Sequence, residues 1–373
     1  MKIPFLDLRT QYLELKQEID AAAARALDSG WYILGKECEA FERAFKEYLA
    51  GDDEGYVVGV NSGTDALKLS LLAAGVGPGD EVITVANTAI PTATAICSIG
   101  AVPVFCDVDP ATWLLDPERI ASCVTARTKA IIAVHLYGAA CDMARITAVA
   151  ESHGLAVIED VAQATGAGYA GRKCGTVGDF GAFSFYPSKN LGACGDGGAV
   201  FVKSAEKRDL LTKLRNYGQS SRYRADMAGG ENSRLDEIQA AILSAKLPHL
   251  ERWNGRRVEL AVLYRRLLTE KGVPVNTQRE YDGSNSANHL FVVTVQADLR
   301  DAVMAKLLEK GVQTLIHYPH PIYRQPAFER FSRQSNPVCE NLCDSVLSLP
   351  FHQYLSSVEL EHVADSLREV LPR

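Results

Sequence analysis

Ala156-Val157-Ile158-Glu159-Asp160 is an apolar run that stops abruptly at two acids. A run this short, rich in β-branched residues, suits a strand buried on both faces. Three earlier runs share its character, Glu81 to Val85, Val102 to Asp107 and Lys129 to Leu136, and each is separated from the next by a stretch with helical spacing. From about residue 55 to 160 the chain therefore alternates strand and helix. That rhythm predicts a parallel sheet with crossover helices. Glu159 and Asp160 then stand at the carboxyl edge of the sheet, where ligands of open α/β sheets collect.

Working outward, two more strand-like runs follow, Phe180 to Tyr186 and Gly198 to Lys203, joined by a loop containing Gly192, Gly195, Gly197 and Gly198. The strand–helix rhythm breaks here, so part of the sheet is expected to be mixed. Helical periodicity runs from Ser233 through Leu247 and resumes after Pro248 to about Lys271, a bridge between a large domain, 1–247, which includes the N-terminal segment, and a small one, 248–373. The remainder reads as strand (His289 to Val295), helix (Arg300 to Lys310), strand (Val312 to Ile316), then helices near Cys339 and from Ser356 to Val370. The expected class is α/β: a mostly parallel mixed sheet sandwiched by helices, plus a smaller C-terminal α/β domain.

With 373 residues, 47% of them hydrophobic, the chain can bury a large core. A formal charge of -7 offers no basic stripe for a nucleic-acid backbone, so any negative ligand must be held by local groups. The nine cysteines lack paired CxxC spacing, and Cys97, Cys106 and Cys123 sit in apolar runs, which suits buried thiols. Cys339 and Cys343 can share a helix face, but two ligands do not make a metal site. The opening Met1 to Arg9 lacks the apolar core of a signal peptide, and no apolar run reaches the roughly 18 residues of a membrane span, so a cytoplasmic protein without a membrane partner is expected.

Three constellations carry chemistry. Asn61-Ser62-Gly63-Thr64-Asp65-Ala66-Leu67 is a polar turn opening a helix. The free N–H groups and positive end of such a helix suit a phosphate, with hydroxyls of Ser62 and Thr64 as further donors, although an ordinary N-cap looks the same. The acid at the end of Val157-Ile158-Glu159-Asp160 can keep a pyridine nitrogen protonated, with Gln163 three residues on pointing the same way; a solvated acid is the plain alternative. Gly181-Ala182-Phe183-Ser184-Phe185-Tyr186-Pro187-Ser188-Lys189-Asn190 places a lysine just past a strand in apolar, glycine-rich company. Burial lowers a lysine's pKa and frees its amine as nucleophile and base.

Taken together, these motifs resemble the DegT/DnrJ/EryC1/StrS family of sugar aminotransferases, pyridoxal 5'-phosphate (PLP) enzymes of fold type I. The resemblance covers nearly the whole chain. It includes Phe5-Leu6-Asp7-Leu8, Ser29-Gly30-Trp31-Tyr32-Ile33-Leu34-Gly35, the turn at Gly63, Gly77-Pro78-Gly79-Asp80-Glu81-Val82-Ile83 and Glu159-Asp160. It continues through Phe183-Ser184-Phe185, Lys189-Asn190, Gly195-Asp196-Gly197-Gly198, the run from Asn232 to Ala241 and His317-Tyr318-Pro319. It implies that Lys189 carries the cofactor as a Schiff base, that Asp160 pairs with the pyridine nitrogen and that Gln163 approaches the ring hydroxyl. Ser62, Gly63, Thr64 and Ser184 would hold the phosphate, with Asn232 reaching it from a neighbouring subunit, so a homodimer with shared sites is implied. His317 and Tyr318, with His289 and Tyr217 beside them, would lie near the sugar nucleotide.

Two departures stand out. Many relatives set an aromatic residue against the cofactor ring where this chain reads Thr88-Ala89-Ile90-Pro91-Thr92, so Ala89 leaves a smaller face there. Relatives often have an aromatic or aliphatic residue where Glu231 precedes Asn232. By resemblance the reaction passes an amino group from L-glutamate to a nucleotide-linked keto-sugar, with a lean to C-3 of a dTDP- or UDP-hexose. An aminotransferase for keto-cyclitols, or a non-catalytic regulator on the same fold, remains open. Lys189 argues against the related sugar dehydratases, which carry histidine there. The glycines of Gly75-Val76-Gly77-Pro78-Gly79 have the wrong spacing, and precede rather than follow a strand, for a nicotinamide dehydrogenase.

Overall fold

The apolar runs lie side by side in the computed structural model, which describes residues 1–372. Seven strands form the main sheet: β1 (Tyr56–Val60), β2 (Glu81–Val85), β3 (Val102–Cys106), β4 (Thr128–Val134), β5 (Ala156–Asp160), β6 (Phe180–Ser184) and β7 (Gly198–Val202), in the order β1-β7-β6-β5-β4-β2-β3. Only β7 runs against the rest: it pairs antiparallel with both β1 and β6, while β6-β5-β4-β2-β3 are parallel. The broken rhythm after residue 180 is this reversed strand.

Alternation along the central strands sorts the chemistry onto two faces. Asp160 pairs in register with Ala182, so Asp160, Ala182 and Ser184 share one face, and Glu159 and Phe183 the other. On the second face helix α1 (Lys36–Ala50) sets Phe45 edge-on against Phe183 at 5.1 Å and against Phe185 at 5.4 Å between ring centroids. Removing such a buried ring costs about 3–5 kcal/mol, so this cluster is a principal anchor of β6 and of the loop that follows it. On the first face helix α2 (Gly63–Ala73) begins where β1 ends, capped by Ser62, whose Oγ accepts from Asp65 N at 3.1 Å. Helix α3 (Ile90–Ser98) follows β2 and has Pro91 in its first turn, where the missing N–H costs nothing.

A second apolar core gathers around β8 (Asn276–Thr277), β9 (Phe291–Thr294) and β10 (Val346–Leu349), an antiparallel sheet in that order. It is covered by α4 (Leu250–Glu270), α5 (Arg300–Glu309) and α7 (Ser357–Val370), with Tyr264 stacked on Phe291 at 4.6 Å, while α6 (Pro337–Ser345) turns Cys339, Leu342 and Cys343 into the core of the main sheet. Helix α4 belongs to both cores, Leu250 to that of the main sheet and Leu260 onward to the second. Ile3, at the other end of the chain, is also buried in the second core.

One expected strand is corrected. The run 312–316 forms only isolated bridges, Val312 with Ile3 and Leu315 with Ser348. Its backbone is spent on joining the N-terminal segment to β10 and never sustains a ladder. The strand that fills the sheet is Val346–Leu349. Among the described residues no helix is long and apolar enough to cross a membrane.

Candidate active site

The carboxyl ends of β4, β5 and β6 and the N-termini of α2 and α3 enclose one space. Asp160 closes β5 and is buried there. Its Oδ2 accepts from the Thr92 hydroxyl at 3.0 Å, and its Oδ1 from Ala162 N at 3.2 Å. Burial pushes the carboxyl upward in pKa, against these two donors and the charge of Lys189. Gln163 follows in the next turn. Its Oε1 accepts from Tyr137 N at 2.7 Å and its Nε2 donates to the Tyr318 hydroxyl at 3.0 Å, leaving one amide hydrogen free.

Lys189 sits in the loop beyond β6, in a turn whose backbone N–H donates to Tyr186 O at 2.8 Å. Burial pushes its amine down in pKa, and only the charge of Asp160 opposes this. Each group thus feels the other's charge across the same space. The lysine has no carboxylate within salt-bridge distance among the described residues. A buried, unpaired amine beside a buried carboxylate is an arrangement poised for nucleophilic and proton-transfer chemistry.

Beside them lies a glycine-floored cradle at the start of α2. A Cβ on Gly63 would meet Ser184 Cβ at 2.6 Å, and one on Gly198 would meet the Ser62 carbonyl oxygen at 2.4 Å. Glycine at both positions lets the first turn of α2 settle on the ends of β6 and β7. The Ser62 hydroxyl is engaged as the cap, and the first-turn N–H groups of Gly63 and Thr64 point out of the helix start beside Ser184.

The structure also brings His317, Tyr318 and His289 to this space. His317 Nδ1 lies 2.8 Å from the Ser348 hydroxyl, and its ring stacks on Phe5 at 5.7 Å. Burial, then Lys189, push its pKa down to about 4, so it is a neutral imidazole. Tyr217 and Asn232 are not brought to these groups. Both lie in an exposed segment where residues 216 and 232 bridge and Tyr217 N donates to Glu231 O at 3.0 Å. Glu231 itself turns inward to form an ion pair with Lys68 of α2. Ser233, on the other side of Asn232, donates to Asp65 Oδ2 at 2.8 Å.

Sequence reasoning passed over Thr92, Tyr137 and the side chain of Asn190. Thr92 stood inside a run read for Ala89, which lies half-buried as the residue before α3. Nothing local marks Tyr137, whose backbone N–H is what holds Gln163.

On the opposite face His135, Glu159 and Cys174 converge, fully buried. Glu159 accepts from His135 Nε2 at 2.9 Å and from Gly175, Val177 and Gly178 N at 2.8 Å each, and His135 Nδ1 accepts from Cys141 N at 3.0 Å. These carboxylate and imidazole atoms are already satisfied, so the cluster ties β4, β5 and the 174–178 loop together.

The space fits a flat heteroaromatic ring bearing a phosphate. A buried carboxylate is available to a ring nitrogen, an unpaired amine to a carbonyl, an amide hydrogen to a ring hydroxyl, and a glycine-floored helix start to the phosphate. The family model described as the DegT/DnrJ/EryC1/StrS aminotransferase family matches residues 13–368. The chain is 46% identical over 371 residues to the erythromycin biosynthesis sensory transduction protein EryC1 of Saccharopolyspora erythraea, covering 99% of each. It is 45% identical over 365 residues to dTDP-3-amino-3,6-dideoxy-alpha-D-galactopyranose transaminase of Aneurinibacillus thermoaerophilus, covering 98% of each. The crystal structure of S. venezuelae DesV in complex with a ketimine intermediate superposes with a TM-score of 0.94 at 43% identity, covering 99% of this chain and 98% of that one.

Proposed function

The chain belongs to the DegT/DnrJ/EryC1/StrS aminotransferase family, and from that premise we propose that it transfers the amino group of L-glutamate to C-3 of a dTDP- or UDP-linked keto-hexose, with Lys189 as the cofactor lysine. It is a PLP-dependent aminotransferase of nucleotide-linked keto-sugars. The observation that most supports our assignment of Lys189 is its unpaired amine facing the buried Asp160 carboxylate beneath the Gly63 turn. The position of the amine in the A. thermoaerophilus relative's product supports C-3.

When bound, PLP supplies an electron sink that acidifies the C–H bond beside the nitrogen it carries. Asp160, steadied by Thr92, would hold the proton on the ring nitrogen. Gln163 would give its remaining amide hydrogen to the ring hydroxyl. The N–H groups of Gly63 and Thr64, with the Ser184 hydroxyl and the hydrogen left on the capping Ser62 hydroxyl, would hold the phosphate. Ala89 would offer the ring a smaller stacking face. Lys189 Nζ, favoured as the neutral amine by burial, takes the α-proton of the donor and later delivers one to the sugar carbon that receives nitrogen, so a single group serves as base and acid. His317 and Tyr318 line the sugar side, with His289 deeper in the same wall.

The reading includes a homodimer in which the partner subunit's Asn232 completes the phosphate site and the partner's Tyr217 approaches the sugar nucleotide. Trp31 (64% exposed), Tyr32 (54%), Tyr186 (55%) and Tyr223 (84%) are large apolar side chains open to solvent. Ile33 bridges Asp236, which puts this aromatic stretch beside the Asn232 segment, and exposed aromatic surface of that kind marks a contact surface. We also read the chain as two units, 1–247 and 248–373, meeting at the start of α4.

The test is to mix purified protein with PLP, follow the bound-cofactor absorbance and add L-glutamate, then offer the glutamate-treated enzyme 3-keto and 4-keto nucleotide sugars and determine product mass and regiochemistry. Discharge by glutamate and amination at C-3 are expected. Unchanged absorbance with glutamate, or amination only of the 4-keto sugars, overturns the corresponding part of the reading.

A further inference from the structure

The first residues of a chain are usually poorly ordered unless something ties them down. Here they are tied along the stretch that leads to His317. Ile3 N donates to Gly311 O at 2.8 Å, and Gln313 N donates to Ile3 O at 3.1 Å. A Cβ on Gly311 would meet Met1 O at 2.0 Å, so the segment can lie this close only over a glycine. Two residues on, Phe5 N donates to the Gln313 side chain at 3.2 Å, and Phe5 O accepts from Phe351 N at 3.4 Å. The Asp7 side chain then caps the helix Leu8–Glu14 by accepting from Thr10 N at 2.9 Å, which fixes the segment at its other end.

Core burial accounts for Ile3 but not for Phe5. Phe5 is only partly buried, and among the described residues it packs in no apolar core. Its one ring partner among those residues is His317, stacked at 5.7 Å with 28° between the planes. The His317 ring is otherwise held at one edge, through Nδ1 and the Ser348 hydroxyl 2.8 Å away, and its backbone carbonyl accepts from the Tyr137 hydroxyl. A hydrogen bond at one nitrogen leaves the tilt of the ring to whatever lies on its faces, and Phe5 is the flat neighbour. Tyr318 meets the same ring edge-on at 5.5 Å and takes the hydrogen bond from Gln163. Phe5, His317 and Tyr318 thus form a row of rings running from the N-terminal segment to the Gln163 amide.

We propose that Phe5 is a positioning residue for the sugar half of the reaction: laid across His317 by the N-terminal segment, its ring sets the plane in which His317 meets the sugar nucleotide. Phe5 acts through His317 and supplies no chemistry of its own. The half-reaction with the sugar therefore depends on Phe5, and the half-reaction with glutamate does not. The inference rests on our reading of His317 as part of the sugar wall.

The test uses the full chain loaded with PLP and the variants Phe5→Ala, Phe5→Leu and Phe5→Tyr. Leucine keeps apolar bulk but has no flat face; tyrosine keeps the face. The two half-reactions are timed separately, as the discharge of the bound-cofactor absorbance by L-glutamate and its return on adding a dTDP-linked 3-keto-6-deoxyhexose. The second-order rate constant of the return is expected to fall about threefold to tenfold in F5A and F5L, the worth of one aromatic pair, and to hold in F5Y. Discharge by glutamate stays within about twofold in all three, since less than one such pair is at stake there. In a His317→Ala background, Phe5→Ala should add nothing, because its effect passes through that ring.

A second measurement needs no turnover. Carbethoxylation of His317 by diethyl pyrocarbonate, read by peptide mass against the exposed His153, should quicken about threefold in F5A and F5L and not in F5Y. An F5L protein that matches the unsubstituted one in both measurements shows that Phe5 only fills space, and overturns the proposal. Equal slowing of the two half-reactions overturns it as well. Should F5A fail to fold, F5L carries the comparison. A return that His317→Ala leaves unslowed sinks the sugar-wall reading and the proposal with it, whereas slowing in His317→Ala but in neither F5A nor F5L overturns the proposal alone.

Discussion

The hydroxyl of Thr92, in the first turn of α3, donates to Asp160 Oδ2 at 3.0 Å across 68 residues of chain. It is one of two hydrogen bonds that resist the upward push of burial on that carboxyl. Thr92→Val keeps the shape and removes the donor, so the Asp160 pKa rises further. PLP affinity is expected to fall about tenfold, the worth of one hydrogen bond to a charged group, and the acid limb of glutamate conversion to move to higher pH. PLP titration across pH checks both.

Asp160 is held in the folded apoprotein with a pKa above its ordinary 3.8. Between the unfolded and folded values the native state binds more protons than the unfolded chain. Stability from this group is therefore lost as pH rises through that window. Asp160→Asn should raise the urea midpoint of the PLP-free protein at pH about 7 while abolishing amino transfer. A lowered midpoint would contradict the sign.

Gly63→Ala puts a methyl 2.6 Å from Ser184 Cβ, a contact that cannot form without parting α2 from β6. The affected groups are the N–H donors of the phosphate turn. Loss of two such charge-assisted hydrogen bonds lowers PLP affinity about a hundredfold or more, with the far-ultraviolet circular dichroism unchanged. Equilibrium titration measures it.

Lys68 and Glu231 form a partly buried ion pair beside Asn232. Reversing either charge alone should weaken PLP binding by the dimer about threefold to tenfold, and Lys68→Glu with Glu231→Lys together should recover most of it. A double variant no better than the singles would show that the pair does not hold the Asn232 segment.

Much of this arrangement was legible because it is written locally. Buried parallel strands are continuous apolar runs, so β2 to β5 stand out, and Lys189, Asp160 and Gly63 each lie at the end of such a run. What was hidden depends on contacts between distant residues. Thr92 looks like any helical threonine until β5 lies beside it. Glu231 looks out of place until Lys68, 163 residues earlier, meets it. The 312–316 run has strand composition but only isolated bridges, whereas β10 follows α6 with no turn residue between them to announce it.

Ile3 is buried in the second core and bridges Val312. The segment around Ile3 therefore has no place to settle until the chain has been made to beyond residue 312, and it must wait uncovered through most of synthesis. Phe5, which stacks on His317, travels with it. Docking of this segment thus covers part of the C-terminal core and sets Phe5 against His317 in one motion, so a nascent chain cut short before residue 312 lacks both.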